Sequence, residues 1–234
     1  DEKNVVVVPP TWRRDLTREI DLVEEVARIN GYEKIPEDVP VKMVPSTRSA
    51  ADRVMDKVRH VLTAAGFDEA LTPSTVPEEL SAPFSPWTEA APLRCSVAVL
   101  RRADLLRRTL VPSLLESRRT NESLGNERIE LFETARVYLS QGEELPQEAL
   151  MLSLTSGRSF ADVKGVLEAV VAAVNPTSRI ETADYEHPLF DSAACRLTLD
   201  GEAWGILGEL SAAGLKQFDL RGKTTVAEVR IGRL

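Results

Sequence analysis

The second half of this chain is crowded with short β-branched and apolar runs, and the gaps between several of them are too short for anything but a turn. Residues 128–139, 148–155, 180–185, 193–199, 203–210 and 225–231 each read as strands. Where one run follows another directly, as across Asp200-Gly201, the pairing must be antiparallel. A parallel crossover needs about a dozen residues or more, whereas Asp-Gly suits a two-residue hairpin turn. One long segment interrupts the series. In 162–174, Val163, Val166, Leu167, Val170, Val171 and Val174 recur at helical spacing. The pattern predicts an α+β fold, an antiparallel sheet with helices packed on one side, and not a doubly wound nucleotide fold.

The first half is organised differently. Val5 to Val8 is a β-branched run stopped by Pro9-Pro10 and reads as a buried strand. Thr17 as N-cap and Gly31 just past the end bracket a helix over 18–30. Pro36, Pro40 and Pro45 mark 33–50 as an extended linker, which divides the chain into 1–44 and 45–234. A helix over 52–65 follows, with Val54, Val58, Val61, Leu62 and Ala65 as its apolar stripe and Gly66 closing it. Residues 67–72 and 93–100 read as strands, separated by a proline-rich irregular excursion over 73–92. Pro112 suits a first helical turn, so 112–122 is read as a helix, and a short one is expected over 212–218.

Composition excludes several function classes. The net charge of −8 argues against a free-standing nucleic-acid binder. Arg101, Arg102, Arg107, Arg108, Arg118 and Arg119 do cluster, as solvated helix faces or as a functional patch. No apolar run approaches the ~20 residues that span a bilayer. Cys95 and Cys195 have no metal-ligand spacing and read as unpaired buried thiols of a reducing compartment. His60 falls on the polar side of its helix and His187 in a loop, neither in a nucleophile motif. No glycine-rich phosphate loop is present. No signal peptide is visible, and the opening Asp1 in place of Met suggests a cut fragment.

One cluster carries candidate chemistry. Asp21, Glu24 and Glu25 stand at i, i+3 and i+4 on one helix face, and Asp15 lies near the helix start. Like charges so placed repel unless a cation neutralises them, and hard carboxylate oxygens suit Mg²⁺. The alternative is purely local: Glu24 paired with Arg28, Asp21 with Arg18, and Asp15 as a cap.

Pro10-Thr-Trp-Arg-Arg-Asp15, then Asp21-Leu-Val-Glu24-Glu25-Val-Ala-Arg28, then Gly31-Tyr32, resembles the B5 signature of the bacterial phenylalanine–tRNA ligase beta-subunit family. Further likenesses follow in order: Arg107-Arg108-Thr-Leu-Val-Pro112-Ser-Leu-Leu, Glu130-Leu-Phe132-Glu133-Thr, Lys164-Gly165-Val-Leu-Glu and Gly205-Ile-Leu-Gly208-Glu-Leu. The family's Asn-Pro-Leu-Ser stretch is replaced by Ala98-Val-Leu-Arg101-Arg102-Ala103.

The resemblance implies a class II aminoacyl-tRNA synthetase-like module, preceded by a partial, winged-helix-like B5 segment. It implies a magnesium site on Asp15, Asp21, Glu24 and Glu25, shared with an alpha subunit. It also implies a cytoplasmic two-alpha, two-beta tetramer that attaches phenylalanine to tRNA(Phe), with tRNA contacted through the full-length subunit and no membrane involved. Class II active sites clamp the ATP phosphate with an arginine on one strand and carry a second arginine in a glycine-rich C-terminal strand. Here Phe132 is followed by Glu133, and the closing strands lack the glycine-rich run, so the module is expected to be catalytically silent. The alternative is a free-standing nucleic-acid- or partner-binding relative of that module.

Overall fold

A computed structural model describes residues 4–40, 42–81, 84–97, 100–142 and 144–234. The chain separates into two compact units, Asp1–Thr47 and Arg48–Leu234.

The first unit is built on α1 (Glu19–Asn30), followed by a single 3-10 turn over Tyr32–Lys34. Gly31 ends α1 as expected. Its φ of 102° lies where an L side chain is strained, and its N–H reaches the Ala27 carbonyl at 2.9 Å. The start differs from expectation. Arg18, not Thr17, is the N-cap, and Asp21 supplies the acceptor for the free N–H groups. Helix α1 has no buried residue. Val5 to Val8 form no strand and are not buried: Val6 is 90% exposed. A strand needs a neighbouring edge for its N–H and C=O groups, and no described residue pairs with this run.

The second unit is a sheet wrapped on both faces. In chain order its elements are α2 (Ala50–Ala64), β1 (Asp68–Glu69), β2 (Thr75–Val76), α3 (Glu78–Ser81), β3 (Leu105–Leu106), α4 (Val111–Ser123), β4 (Leu131–Gln141), β5 (Glu144–Ser156), α5 (Phe160–Val174), β6 (Ile180–Asp184), β7 (Phe190–Leu199), β8 (Glu202–Leu210), α6 (Ala212–Gln217) and β9 (Thr225–Arg230). Seven strands form the main sheet in the order β1-β4-β5-β9-β8-β7-β6, and β2 pairs with β3 apart from it. All pairings in the main sheet are antiparallel except β1 with β4. The β7–β8 hairpin turns on Asp200 and Gly201, at φ 51° and 81°, as the Asp-Gly signal requires. Helix α5 begins with a reciprocal cap, in which Asp162 N–H donates to Ser159 Oγ and Ser159 N–H donates back to the Asp162 carboxylate.

Helices cover both faces, which corrects the one-sided packing expected from sequence. On one face α2 and α5 bring Val58, Leu62, Val163, Leu167 and Val170 against Phe132, Leu152, Leu154, Trp204, Leu207, Ala227 and Val229. On the other, Val111 and Leu115 of α4 pack with Phe84, Ile206, Leu210, Phe218, Leu220 and Val226. Five of the six β9 residues are buried in an unbroken run, the mark of a strand covered on both sides. The strand expected over 67–72 shrinks to Asp68–Glu69. That expected over 93–100 reduces to isolated bridges, Arg94 to Leu105 and Leu100 to Ala103; residues 98 and 99 lie outside the described residues. Short elements β2, α3 and β3 in and after the proline-rich excursion had no sequence signal. Cys195 is buried, its thiol pushed up to about 11 by burial, whereas Cys95 is only partly covered; both are unpaired. No described helix is long and apolar enough to cross a membrane.

Candidate functional sites: an acidic cluster and a sealed sheet face

The acidic cluster is organised around Arg13. One guanidinium nitrogen of Arg13 donates to Asp15 at 2.7 Å and to Glu25 at 2.5 Å, so two of the four candidate carboxylates converge on a single cation. Both are held below the usual carboxylate range, chiefly by their hydrogen bonds from Arg13. Arg28 pairs with Glu25, not with Glu24 as the local alternative supposed. Asp21 faces the helix start, where it accepts from Thr17 N–H at 3.0 Å and Arg18 N–H at 2.8 Å. Those two backbone donors are the main cause of its lowered pKa. It is the third residue of α1 and so stabilises the positive end of the helix. Asp15 is no cap. Glu24 makes no side-chain hydrogen bond or ion pair with the described residues. Among the described residues, no three acidic, histidine or cysteine side chains converge on a metal position.

The second site was not anticipated. Register places Glu133 of β4, Ser153 of β5 and Glu228 of β9 in one row across the sheet, on the face under α4. All are buried, Glu133 at 1% exposure and Glu228 at 0%. Arg107 donates to Glu133 at 3.0 Å, to the Thr72 carbonyl at 3.1 Å and to the Arg136 carbonyl at 2.9 Å. Thr72 adds its N–H and hydroxyl to Glu133 at 3.1 and 2.7 Å. Glu228 takes its donors from elsewhere: the Trp87 indole N–H and, at 2.6 Å, the Leu110 N–H at the start of α4. Thr109 stands beside it, its Oγ1 accepting the Val111 N–H at 3.3 Å. Among the described residues no cation bonds Glu228, and burial pushes it up to about 7. Arg108, next in the same motif, reaches the Ala90 carbonyl and the Ser81 carbonyl, both at 2.7 Å.

Arg107-Arg108-Thr109-Leu110 is therefore a fastening. Successive residues tie the irregular 73–92 region and the start of α4 to the middle strands. Of the arginines clustered in sequence, Arg107, Arg108 and Arg118 are spent on internal partners, the last on the Ile129 carbonyl at 2.6 Å. Arg101, Arg102 and Arg119 remain exposed. A signal for the second site was present. Glu228 interrupts the apolar run 225–231, and an acid amid apolar strand residues requires a buried partner. His60 is exposed on α2 as read. His187 packs edge-on to Phe84 at 4.9 Å and accepts the Leu189 N–H at 3.2 Å.

Comparison with known proteins places the chain in a family. The family model for the phenylalanyl tRNA synthetase beta chain CLM domain matches residues 35–231, and that for the tRNA synthetase B5 domain matches residues 1–32. The chain belongs to the phenylalanyl-tRNA synthetase beta-chain family. It is 41% identical to the phenylalanine–tRNA ligase beta subunit of Rhodopirellula baltica, over 95% of this chain and 34% of that one. With the same subunit of Geobacter sulfurreducens it is 34% identical, over 97% of this chain and 31% of that one. This beta-chain segment thus spans about a third of the length of the curated relatives it matches. Its fold is that of class II aminoacyl-tRNA synthetases. Two structures of pyrrolysyl-tRNA synthetase from Desulfitobacterium hafniense superpose with a TM-score of 0.62, at 16% and 17% identity. They cover 90% and 97% of the beta-chain segment, which covers 71% and 81% of them.

Proposed function

We propose that this chain is a non-catalytic structural module of the beta subunit of phenylalanine–tRNA ligase. It supports ATP-dependent attachment of phenylalanine to tRNA(Phe) by pairing with a catalytic alpha subunit in a cytoplasmic two-alpha, two-beta tetramer. Transfer RNA is contacted through the full-length subunit. Residues 1–44 are taken as the end of a B5 domain with its linker, and 45–234 as the synthetase-fold module. The observation that carries the reading is the filling of the sheet face under α4. Activation of an amino acid needs cationic and N–H donors free to meet a phosphate. Here Arg107 is spent on Glu133, the α4 N-terminal amide on Glu228, and the position after Phe132 holds an acid. Pyrophosphate exchange with ATP and phenylalanine is the test. The purified chain is expected to give no exchange above a heat-treated control, and robust exchange would overturn the reading.

Magnesium is proposed at the acidic cluster, shared with the alpha subunit. The donor set fits in part. Asp15 and Glu25 already converge on one cation, Arg13, and Mg²⁺ takes only one or two carboxylates while keeping several waters. Those two side chains would hold the ion, Glu24 stands beside them, and Asp21 is the least available because it caps α1. When bound, the ion supplies a positive charge shared between the two subunits. This chain's part is to present Asp15 and Glu25 together once Arg13 yields them. Calorimetric titration with and without the alpha subunit tests this, with binding expected only in its presence. Unchanged metal content of the assembled enzyme carrying Asp15→Ala and Glu25→Ala would remove the assignment.

A further inference from the structure

The carboxylate of Glu228 joins three separated parts of the second unit at one point: β9, Trp87 of the irregular excursion, and Leu110 at the head of α4. The indole N–H and the backbone N–H are donors that cannot accept. An ionised carboxylate satisfies both, one on each oxygen. A proton on either oxygen occupies one of its lone pairs and weakens it as an acceptor, so the two N–H donors are left to compete for the carbonyl oxygen that remains.

We propose that Glu228 is a proton-controlled latch: ionised, it fastens Trp87 and the start of α4 together onto the sheet, and on taking up a proton it lets Trp87 go while Leu110 stays. Trp87 is the partner released because its side chain can move, whereas the Leu110 N–H is fixed by the helix that follows it. The excursion itself stays anchored. Arg108 holds the Ser81 and Ala90 carbonyls on either side of Trp87 by bonds that no proton near neutrality affects. The opening is therefore local, over the segment that seals the sheet face.

The surroundings poise the group. Burial disfavours the charge, while its N–H donors and the nearby charge of Arg107 favour it, and the balance lies at about 7. The groups facing it are few. Arg107, before α4, is committed to Glu133 of β4. Arg230, two residues along β9, lies 5.0 Å over the Trp87 ring. From β5, Ser153 donates to the Ala227 carbonyl at 3.0 Å, and β8 presents Ile206. His187 meets the excursion at Phe84.

The test follows the indole N–H signals of the three tryptophans by ¹H–¹⁵N correlation spectra between pH 5.5 and 8.5, with Trp87 assigned by Trp87→Phe. The Trp87 signal is expected to move with a midpoint near 7, and those of Trp12 and Trp204 to stay still. Glu228→Gln is expected to abolish the movement, with an unshifted Trp204 signal reporting an intact core. A still Trp87 signal in the unmodified chain overturns the latch. So does a titration that survives Glu228→Gln, which would assign it to His187. If Glu228→Gln does not fold, hydrogen exchange in the unmodified chain decides. Corrected for intrinsic rates, Trp87 indole protection should fall at least tenfold from pH 8 to pH 6 while that of the Leu110 amide holds. Parallel behaviour of the two overturns the proposal.

Discussion

Two sets of carboxylates in this molecule obey opposite rules. Asp15, Asp21 and Glu25 sit at the surface of the first unit, each met by an arginine or by the helix start, and each is stabilised as an anion. Glu133 and Glu228 lie in one row under α4, cut off from water, and only Glu133 has an arginine. The surface set can be rearranged at little cost, because water replaces any partner that leaves. The buried set cannot, because a charge left alone in the sheet has no substitute partner. A surface cluster is suited to yield its oxygens to an incoming cation or subunit. A buried row is suited to hold a fold shut.

The sharpest way to break this contrast is Arg107→Met. Glu133 would lose its cation inside the sheet, and the second unit is expected to lose ~3–5 kcal/mol in denaturant unfolding. A loss below about 1 kcal/mol would mean that the buried row is not what holds this face. Next in size is the dependence on pH. Glu228 is raised from 4.5 to about 7, so its folded form prefers the proton. Its contribution to stability is complete below pH 4.5, declines as pH rises to 7, and stays lost above. Asp15, Asp21 and Glu25 are lowered, so theirs is present above the ordinary carboxylate range and disappears as pH falls through it. Melting of the chain from pH 4.5 to 8 should reveal a downward slope that Glu228→Gln flattens, and an unaltered slope in that variant would reassign it.

Trp87→Phe should cost ~1–3 kcal/mol, since it deprives a buried acceptor of one donor. Its effect should shrink at pH 5.5, where the latch is already released. The smallest effect belongs to Arg13→Ala. It leaves Asp15 and Glu25 to water and should leave the unfolding midpoint of the second unit unchanged. A shifted midpoint would show that the surface cluster is structural.

Much of the second unit was legible in sequence. The 3.6-residue stripe of 162–174, the short apolar runs of the strands and the Asp-Gly turn report interactions between neighbours in the chain, which local pattern records directly. Val5 to Val8 misled for the converse reason. A β-branched run states a preference for extended backbone, and whether an edge exists to pair with it is a tertiary matter. The helices on the second face were likewise invisible as a layer. Helix α4 has a weak stripe, because its Val111, Pro112, Ser113, Leu114, Leu115 and Arg118 are buried around much of its circumference.

The acidic cluster lay within reach of sequence because Asp21, Glu24 and Glu25 share one helical face. Which of them an arginine takes did not, since side-chain reach decides between Glu24 and Glu25. The buried row shows the division most clearly. The family signature over 10–32, the fold class and the missing phosphate-clamp arginine are carried by residue types in order, and the sequence alone determined them. That Glu228 meets Leu110 and Trp87, 118 and 141 positions away, only the tertiary structure decided. The physical reason is separation. A periodic pattern encodes what lies within one helical turn or one hairpin, while the partner of a buried charge is whatever distant segment the closed sheet brings to it.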